Sequence, residues 1–352
     1  MAKRKIVNER VEQALKVFTD SLVERMETVI NSGDWEKGWL QGAGGFWGLP
    51  QNIKGNTYMG CNAFLLQIVT AKEGYSMPVF MTFKQARELG CKVNKGEHHV
   101  PVFRWGMTVF DENNNKISED EYHGMAWEDQ KKCKVLPFLK MFMAYNIDQT
   151  NFKEQHPDRY ASLLKKFHPD GESKLDSVGM YTNEALDNVI DGSWICPIKV
   201  RDGAGASFKI SENYILVPSK RSFNIHPGNT EETFKDGQEY YSTVLHEMAH
   251  STGHETMFGR PGLVNFQGFG SASYCKEELV AELTAAMVSN ALGFDKRITD
   301  NSAAYLKHWA ENLRQNPKYI VSVMTDVNQA CRLELEHIDA ERKKLGLKPL
   351  ME

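Results

Sequence analysis

His246, Glu247 and His250 stand in the order His-Glu-x-x-His inside a stretch, residues 240–254, whose apolar spacing predicts a helix. Residues four apart share a helical face, so His246 and His250 can offer both imidazoles to one metal ion. Glu247 then points toward the water that such an ion would activate, which is the apparatus of a zinc-dependent hydrolase. Val244, Leu245 and Met248 surround the pair, as in a helix sunk into a core, Asn229 supplies an N-cap and Gly253 a stop. The bland alternative is a buried amphipathic helix whose histidines are only hydrogen-bonded.

Two histidines leave the site a ligand short. In long-motif zincins the third is a His six residues after the second, but Thr256 occupies that position and His254 arrives two residues early. His254 is therefore read as a residue behind the ligands or in the cleft, or as a cap at the negative end of the helix dipole. The alternative is a carboxylate from the helix predicted over residues 274–290, with Ser271 or Ser273 as cap and Gly293 as stop. Glu278 and Glu282 lie one turn apart there, a repulsive arrangement that a cation reverses. Glu278 is assigned to the metal and Glu282 to the ring N–H of His246, because ligating histidines are held by a carboxylate at their other nitrogen. The competing reading for Glu277, Glu278 and Glu282 is a solvated face. Tyr214, His254 and Tyr274 are candidates to stabilise an oxyanion.

Elements that position such a centre need a large core, and 352 residues with a 41% hydrophobic share supply one. The length allows two domains. No apolar run approaches the roughly 18 residues of a membrane helix, and no apolar leader follows the N-terminus, so a cytoplasmic location without membrane contact is expected. Six cysteines without a CxxC pair argue against a disulfide framework and a zinc knuckle.

The net charge of −4 excludes a basic binder as a whole, yet residues 51–105 carry seven Lys and Arg against three Glu. Lys84, Arg87, Lys92, Lys95 and Arg104, with Tyr58 and Trp105 as stacking residues, form the pattern of a surface that tracks phosphates and unpaired bases. In this window the periodicity predicts a helix over residues 63–72 capped by Asn62, a strand over 77–81, a capping box at Thr82 and Gln85, and a strand over 100–105. Trp35, Trp39, Phe46 and Trp47 lie in a glycine-rich loop. Residues 151–175 read as a linker or insertion, and 208–217 as a strand ending in Tyr214-Ile215-Leu216-Val217, an edge along which zinc peptidases hold substrate.

Read together, Gly55-Asn56-Thr57-Tyr58-Met59-Gly60-Cys61-Asn62, Phe80-Met81-Thr82-Phe83-Lys84-Gln85-Ala86-Arg87-Glu88-Leu89-Gly90, Lys95-Gly96-Glu97 leading to Pro101-Val102, Tyr145-Asn146-Ile147-Asp148-Gln149-Thr150, residues 245–254 and residues 274–282 resemble the ArdC antirestriction family of mobile genetic elements. The resemblance implies an α+β protein of two domains: a single-stranded-DNA-binding domain over residues 1–150, a linker or insertion over 151–175, and a zincin-like metallopeptidase domain over 176–352. It further implies single-stranded DNA as partner, zinc as cofactor and a host protein as a candidate substrate. Members are regarded as shielding incoming DNA from restriction, which coating the strand achieves without peptidase chemistry. The alternative function is therefore a non-catalytic DNA-binding protein whose metal is structural. A metal-assisted nuclease fits one His pair and one Glu less well, since nucleases commonly use paired magnesium ions.

Overall fold

The computed structural model describes residues 48–352, apart from 126, 131, 169–174, 269, 295, 297–299, 317, 318 and 352, together with most positions between 12 and 31. The described positions from 12 to 31 are helical, as expected, and bury Leu22, Val23 and Met26. The glycine-rich loop with Trp35, Trp39, Phe46 and Trp47 lies outside the described residues.

The first half is built on a five-stranded sheet in the order β1-β2-β5-β3-β4, with β1 at Gln51–Asn52, β2 at Val79–Thr82, β3 at Val100–Phe110, β4 at Lys116–Ile117 and β5 at Lys134–Asn146. β3 and β5 form a long antiparallel ribbon, from Val100 opposite Ala144 to Phe110 opposite Lys134. Helix α1, Gly60–Glu73, lies against one face, with Phe64 and Leu66 in the same core as Phe80, Val100, Val102 and Ala144. Val79 and Met81, which alternate to the other face, join a second core with Ala86 of α2, Phe83–Glu88. The capping box at Thr82 and Gln85 forms as the sequence predicts. Asn62 does not cap α1: the helix begins two residues earlier, and the Asn62 amide instead holds β3, accepting from the Phe103 N–H at 2.8 Å and donating to its carbonyl at 2.6 Å. Two further helices, α3 at Glu119–Gly124 and α4 at Trp127–Gln130, occupy the excursion between β4 and β5.

Where a linker or insertion is expected, the chain forms α5, Phe152–Gln155, and α6, Pro157–Phe167. Phe152, Tyr160 and Phe167 are buried in the second core, so these helices complete the layer under the sheet. The mixed Lys, His and Pro composition hid a one-sided helix: its apolar positions recur at helical spacing while its other face is charged.

In the second half, α7 (Glu184–Asn188) precedes a three-stranded sheet, β6 at Ile198–Val200, β7 at Ser207–Lys209 and β8 at Tyr214–Val217. The order is β6-β8-β7, so Tyr214–Val217 is central and β6 and β7 are the edges, a correction to the expected edge strand. The backbone of β8 pairs on both sides, parallel to β6 and antiparallel to β7, and Ile215, Leu216 and Val217 are buried as well. Among the described residues five helices follow the short 3-10 turn after β8: α8 at Thr230–Thr252, α9 at Pro261–Val264, α10 at Ala272–Ala291, α11 at Asp300–Gln315 and α12 at Tyr319–Lys344, which closes the bundle. From Leu279 to Ala291 α10 is buried all round, as a helix apolar on every face must be. One hydrophobic core runs from α1 and the sheet through α8, α10 and α12, so the two halves share their packing.

Candidate metal centre

Asn229 caps α8 by accepting from the Glu232 N–H, and the helix runs without a break to Thr252. His246 and His250 emerge one turn apart with their rings edge to face, Nε2 to Nε2 3.2 Å. α10, capped by Ser271, packs along α8 and brings Glu278 to both: Oε2 lies 3.6 Å from His246 Nε2 and Oε1 lies 3.6 Å from His250 Nε2. Among the described residues His246, His250 and Glu278 form a group of donors within 4.8 Å of one another. A four-coordinate ion with bonds of about 2.0–2.1 Å separates its ligands by about 3.3 Å, so this triangle accepts one with little movement.

The remaining ring nitrogens are held from behind. His250 Nδ1 lies 3.0 Å from Glu277 Oε1 and His246 Nδ1 3.4 Å from Glu282 Oε2. Each carboxylate is in turn held by a buried cation. Arg260 donates from Nε and Nη2 to the two Glu277 oxygens at 2.7 and 2.6 Å, from Nη1 to Thr252 Oγ1 and from Nη2 also to the Ala249 carbonyl. Lys296 donates to Glu282 Oε1 at 2.9 Å. Glu277 and Glu282 are thus buried in the site, 2% and 0% exposed, which overturns the solvated-face reading of this helix.

Gly253 is needed for the clamp more than for the turn. Its φ of −86° is open to any residue, but a Cβ there would sit 2.7 Å from the Arg260 guanidinium. Gly262 serves the same approach, since a Cβ would meet the Ser273 carbonyl at 2.6 Å and Glu277 Cβ at 2.7 Å.

The electrostatics fit an ion. Glu247, Glu277, Glu278 and Glu282 bring four carboxylates together, against which the protein sets Arg260 and Lys296; one divalent cation balances the remainder. Complete burial pushes the carboxyl of Glu334 of α12 well above the usual range despite the pull of His246 and Arg260. Burial works against the Glu277 carboxylate, but the bond and charge of Arg260, then of His250, outweigh it and hold it at about 2. Glu278 is likewise held at about 2, burial being overcome by His246, His250 and a bond from Tyr274. Burial disfavours the His246 imidazolium, yet Glu278, Glu282 and Glu247 together push it up to about 10.

The centre opens into a cleft of about 1070 Å³. Its walls include Glu247, Tyr274, Tyr305, Leu263 and Phe266, and along one side residues 205–212 with the free edge of β7. Burial, then the charge and bond of Glu278, hold the Tyr274 phenol well above its ordinary value, so it remains a donor. His254 bonds Thr256 Oγ1 at 2.8 Å and meets the Phe208 ring edge-on, which places it under the cleft wall and not behind a ligand. The orienting positions are taken by Glu277 and Glu282. Tyr214 lies beneath Lys199, 3.8 Å above its ring, and does not line the cleft. Sequence reasoning missed Arg260, Lys296 and the role of Glu277, for which the Glu277-Glu278 doublet was the available signal.

The residues expected to bind nucleic acid do not share one surface. Lys84 and Arg87 project from α2, on the sheet face of the second core, and Lys92 and Lys95 from a loop tied to Asn151 and Gln149. Arg104 is exposed on the opposite face, directly across from Lys140. Tyr58 is half-buried against the main core, and burial pushes its phenol up to about 12. Trp105 lies on β3, but its side chain is outside the described residues.

Fold and site together define an α+β protein with a zincin-like domain joined to a sheet domain. Residues 12–145 match the family model for the N-terminal domain of anti-restriction factor ArdC, and residues 187–326 that of a zincin-like metallopeptidase. The chain is similar to the crystal structures of the antirestriction ArdC protein from R388 plasmid. For the metal-free structure the TM-score is 0.63 at 24% identity, over 95% of this chain and 98% of that one; for the Mn(II)-bound structure it is 0.60 at 25%, over 92% and 97%. Two Escherichia coli proteins named DNA primase TraC are 27% identical over 317 residues, which is 89% of this chain but 26% and 19% of theirs. This chain therefore spans about a quarter or less of those relatives. Protein y4eC of Sinorhizobium fredii is 24% identical over 300 residues, 84% of each chain. The two models match in this order, an ArdC N-terminal domain followed by a zincin-like metallopeptidase domain. No helix among the described residues is long and apolar enough to cross a membrane.

Proposed function

We propose that this protein is an antirestriction-type protein that binds single-stranded DNA and hydrolyses peptide bonds at a zinc ion in the cleft. The observation that carries the reading is the triangle of His246, His250 and Glu278, with each ring held from behind by a buried carboxylate and cation. Two imidazoles and one carboxylate suit zinc better than manganese, which favours a fuller set of oxygen ligands, although the similar R388 protein has a Mn(II)-bound structure. Zinc bound there supplies a Lewis acid and brings a water toward a pKa of about 7. Glu247, lining the cleft beside the ligands, takes the proton from the attacking water and returns it to the departing amine. In this reading the Tyr274 hydroxyl, which bonds Glu278 in the metal-free site, turns to the developing oxyanion, and the edge of β7 along the cleft aligns an extended peptide. The ArdC N-terminal model and the relatives' names support DNA as the partner of the first half.

The continuous core favours a second reading, in which the ion holds α8 on α10 and the protein acts by covering the strand. A Glu247→Gln variant separates the two. Under the peptidase reading it retains zinc, loses hydrolysis of peptide substrates and loses antirestriction activity. Full antirestriction activity with zinc retained would assign the phenotype to DNA covering.

A further inference from the structure

The β3–β5 ribbon outgrows the core that supports its first residues. Val100, Val102 and Ala144 are buried against α1, but farther along the same face Arg104, Leu136, Lys140, Phe142 and Lys134 are exposed. Their register fixes them to one side: Val102 is opposite Phe142, Arg104 opposite Lys140, Thr108 opposite Leu136, and Phe110 opposite both Lys134 and Lys116. No strand position on this face carries an acid. Arg104 and Lys140 stand directly across the antiparallel pair, so their charges reach the same stretch of solvent. Phe142, 41% exposed, and Leu136, 46% exposed, interleave apolar surface with the four cations. From Lys134 to Phe142 this stripe runs about 27 Å at strand rise.

We infer that this face of the ribbon is the path of a DNA single strand, with Arg104, Lys140, Lys134 and Lys116 meeting phosphates and Phe142 stacking on a base. The inference rests on the DNA-binding part of the proposed function and specifies its surface. The mixture of cations and apolar side chains matches a strand whose base faces are free, whereas a duplex hides them. It also separates this face from Lys84 and Arg87, which project from the other side of the sheet.

The test uses the full chain and a labelled DNA oligonucleotide of mixed sequence, titrated at several salt concentrations, with thermal unfolding confirming that each variant is folded. Arg104→Gln with Lys140→Gln should lower the salt slope by about 1.4, two contacts at about 0.7 each. Phe142→Ala should weaken binding about 5- to 100-fold with the slope nearly unchanged. Lys84→Gln with Arg87→Gln should leave both quantities near wild type. Wild-type affinity and slope in both ribbon variants would overturn the surface while leaving DNA binding intact. No binding by the wild-type chain would remove the DNA-binding reading as well. Tighter binding of duplex, of RNA of the same sequence, or of polyglutamate at equal charge would assign the face to that ligand instead.

Discussion

The metal centre and the open face of the ribbon are both assemblies of charged residues, yet one is buried and the other exposed. At the centre every orienting group has a partner: Arg260 holds Glu277, Glu277 holds His250, and Lys296 holds Glu282. On the ribbon Arg104 and Lys140 face each other and the solvent. Buried charges must be paired where they stand, so the centre is rigid and each member depends on the others. Exposed cations are screened and nearly independent, so the ribbon works by addition.

This contrast can be broken first at the level of the whole fold. Because α1 is buried in the core shared with α8, α10 and α12, a fragment ending at Thr150 should lack a cooperative unfolding transition, whereas the full chain shows one. A stably folded fragment would show that the shared core is not needed. Next in size, Glu277→Ala strands the Arg260 guanidinium in the interior and should destabilise the protein by about 3–5 kcal/mol in urea unfolding. A change under about 1 kcal/mol would mean that water reaches Arg260. Glu282→Ala removes the carboxylate behind His246 and should weaken zinc binding about 10- to 100-fold. Wild-type affinity in that variant would give His246 another partner.

Proton competition sharpens the same centre. His246 is pushed up to about 10, so in the metal-free protein it carries a proton at neutral pH that zinc must displace. Apparent zinc affinity should therefore fall about tenfold for each unit of pH lowered between about 8 and 6. A titration that shows no pH dependence would contradict the close contacts to Glu278 and Glu282. At the ribbon, Arg104→Gln or Lys140→Gln should change stability by no more than about 0.5 kcal/mol, the expectation for an exposed site.

The same contrast explains what could be read from the sequence. His246, Glu247 and His250 announce themselves because helical pitch alone puts them together, and Glu278 and Glu282 because they too lie one turn apart. Arg260 and Lys296 come from loops, and no periodicity tells which carboxylate a loop residue will reach. The Thr82 and Gln85 capping box was legible for a similar reason, being completed within four residues. Asn62 was not, since its partner on β3 lies 41 positions away. The ribbon face escaped notice because half of it belongs to β5, far outside the basic window of residues 51–105, and only cross-strand register joins Lys140 to Arg104.

The central claim is that one ion sits among His246, His250 and Glu278, and zinc-edge X-ray absorption of the zinc-loaded protein tests it most directly. The account predicts one zinc per chain with nitrogen and oxygen ligands at about 2.0–2.1 Å, two of them imidazoles. A sulfur ligand at about 2.3 Å, which would bring in a cysteine such as the neighbouring Cys275, or no bound zinc at all, would contradict it.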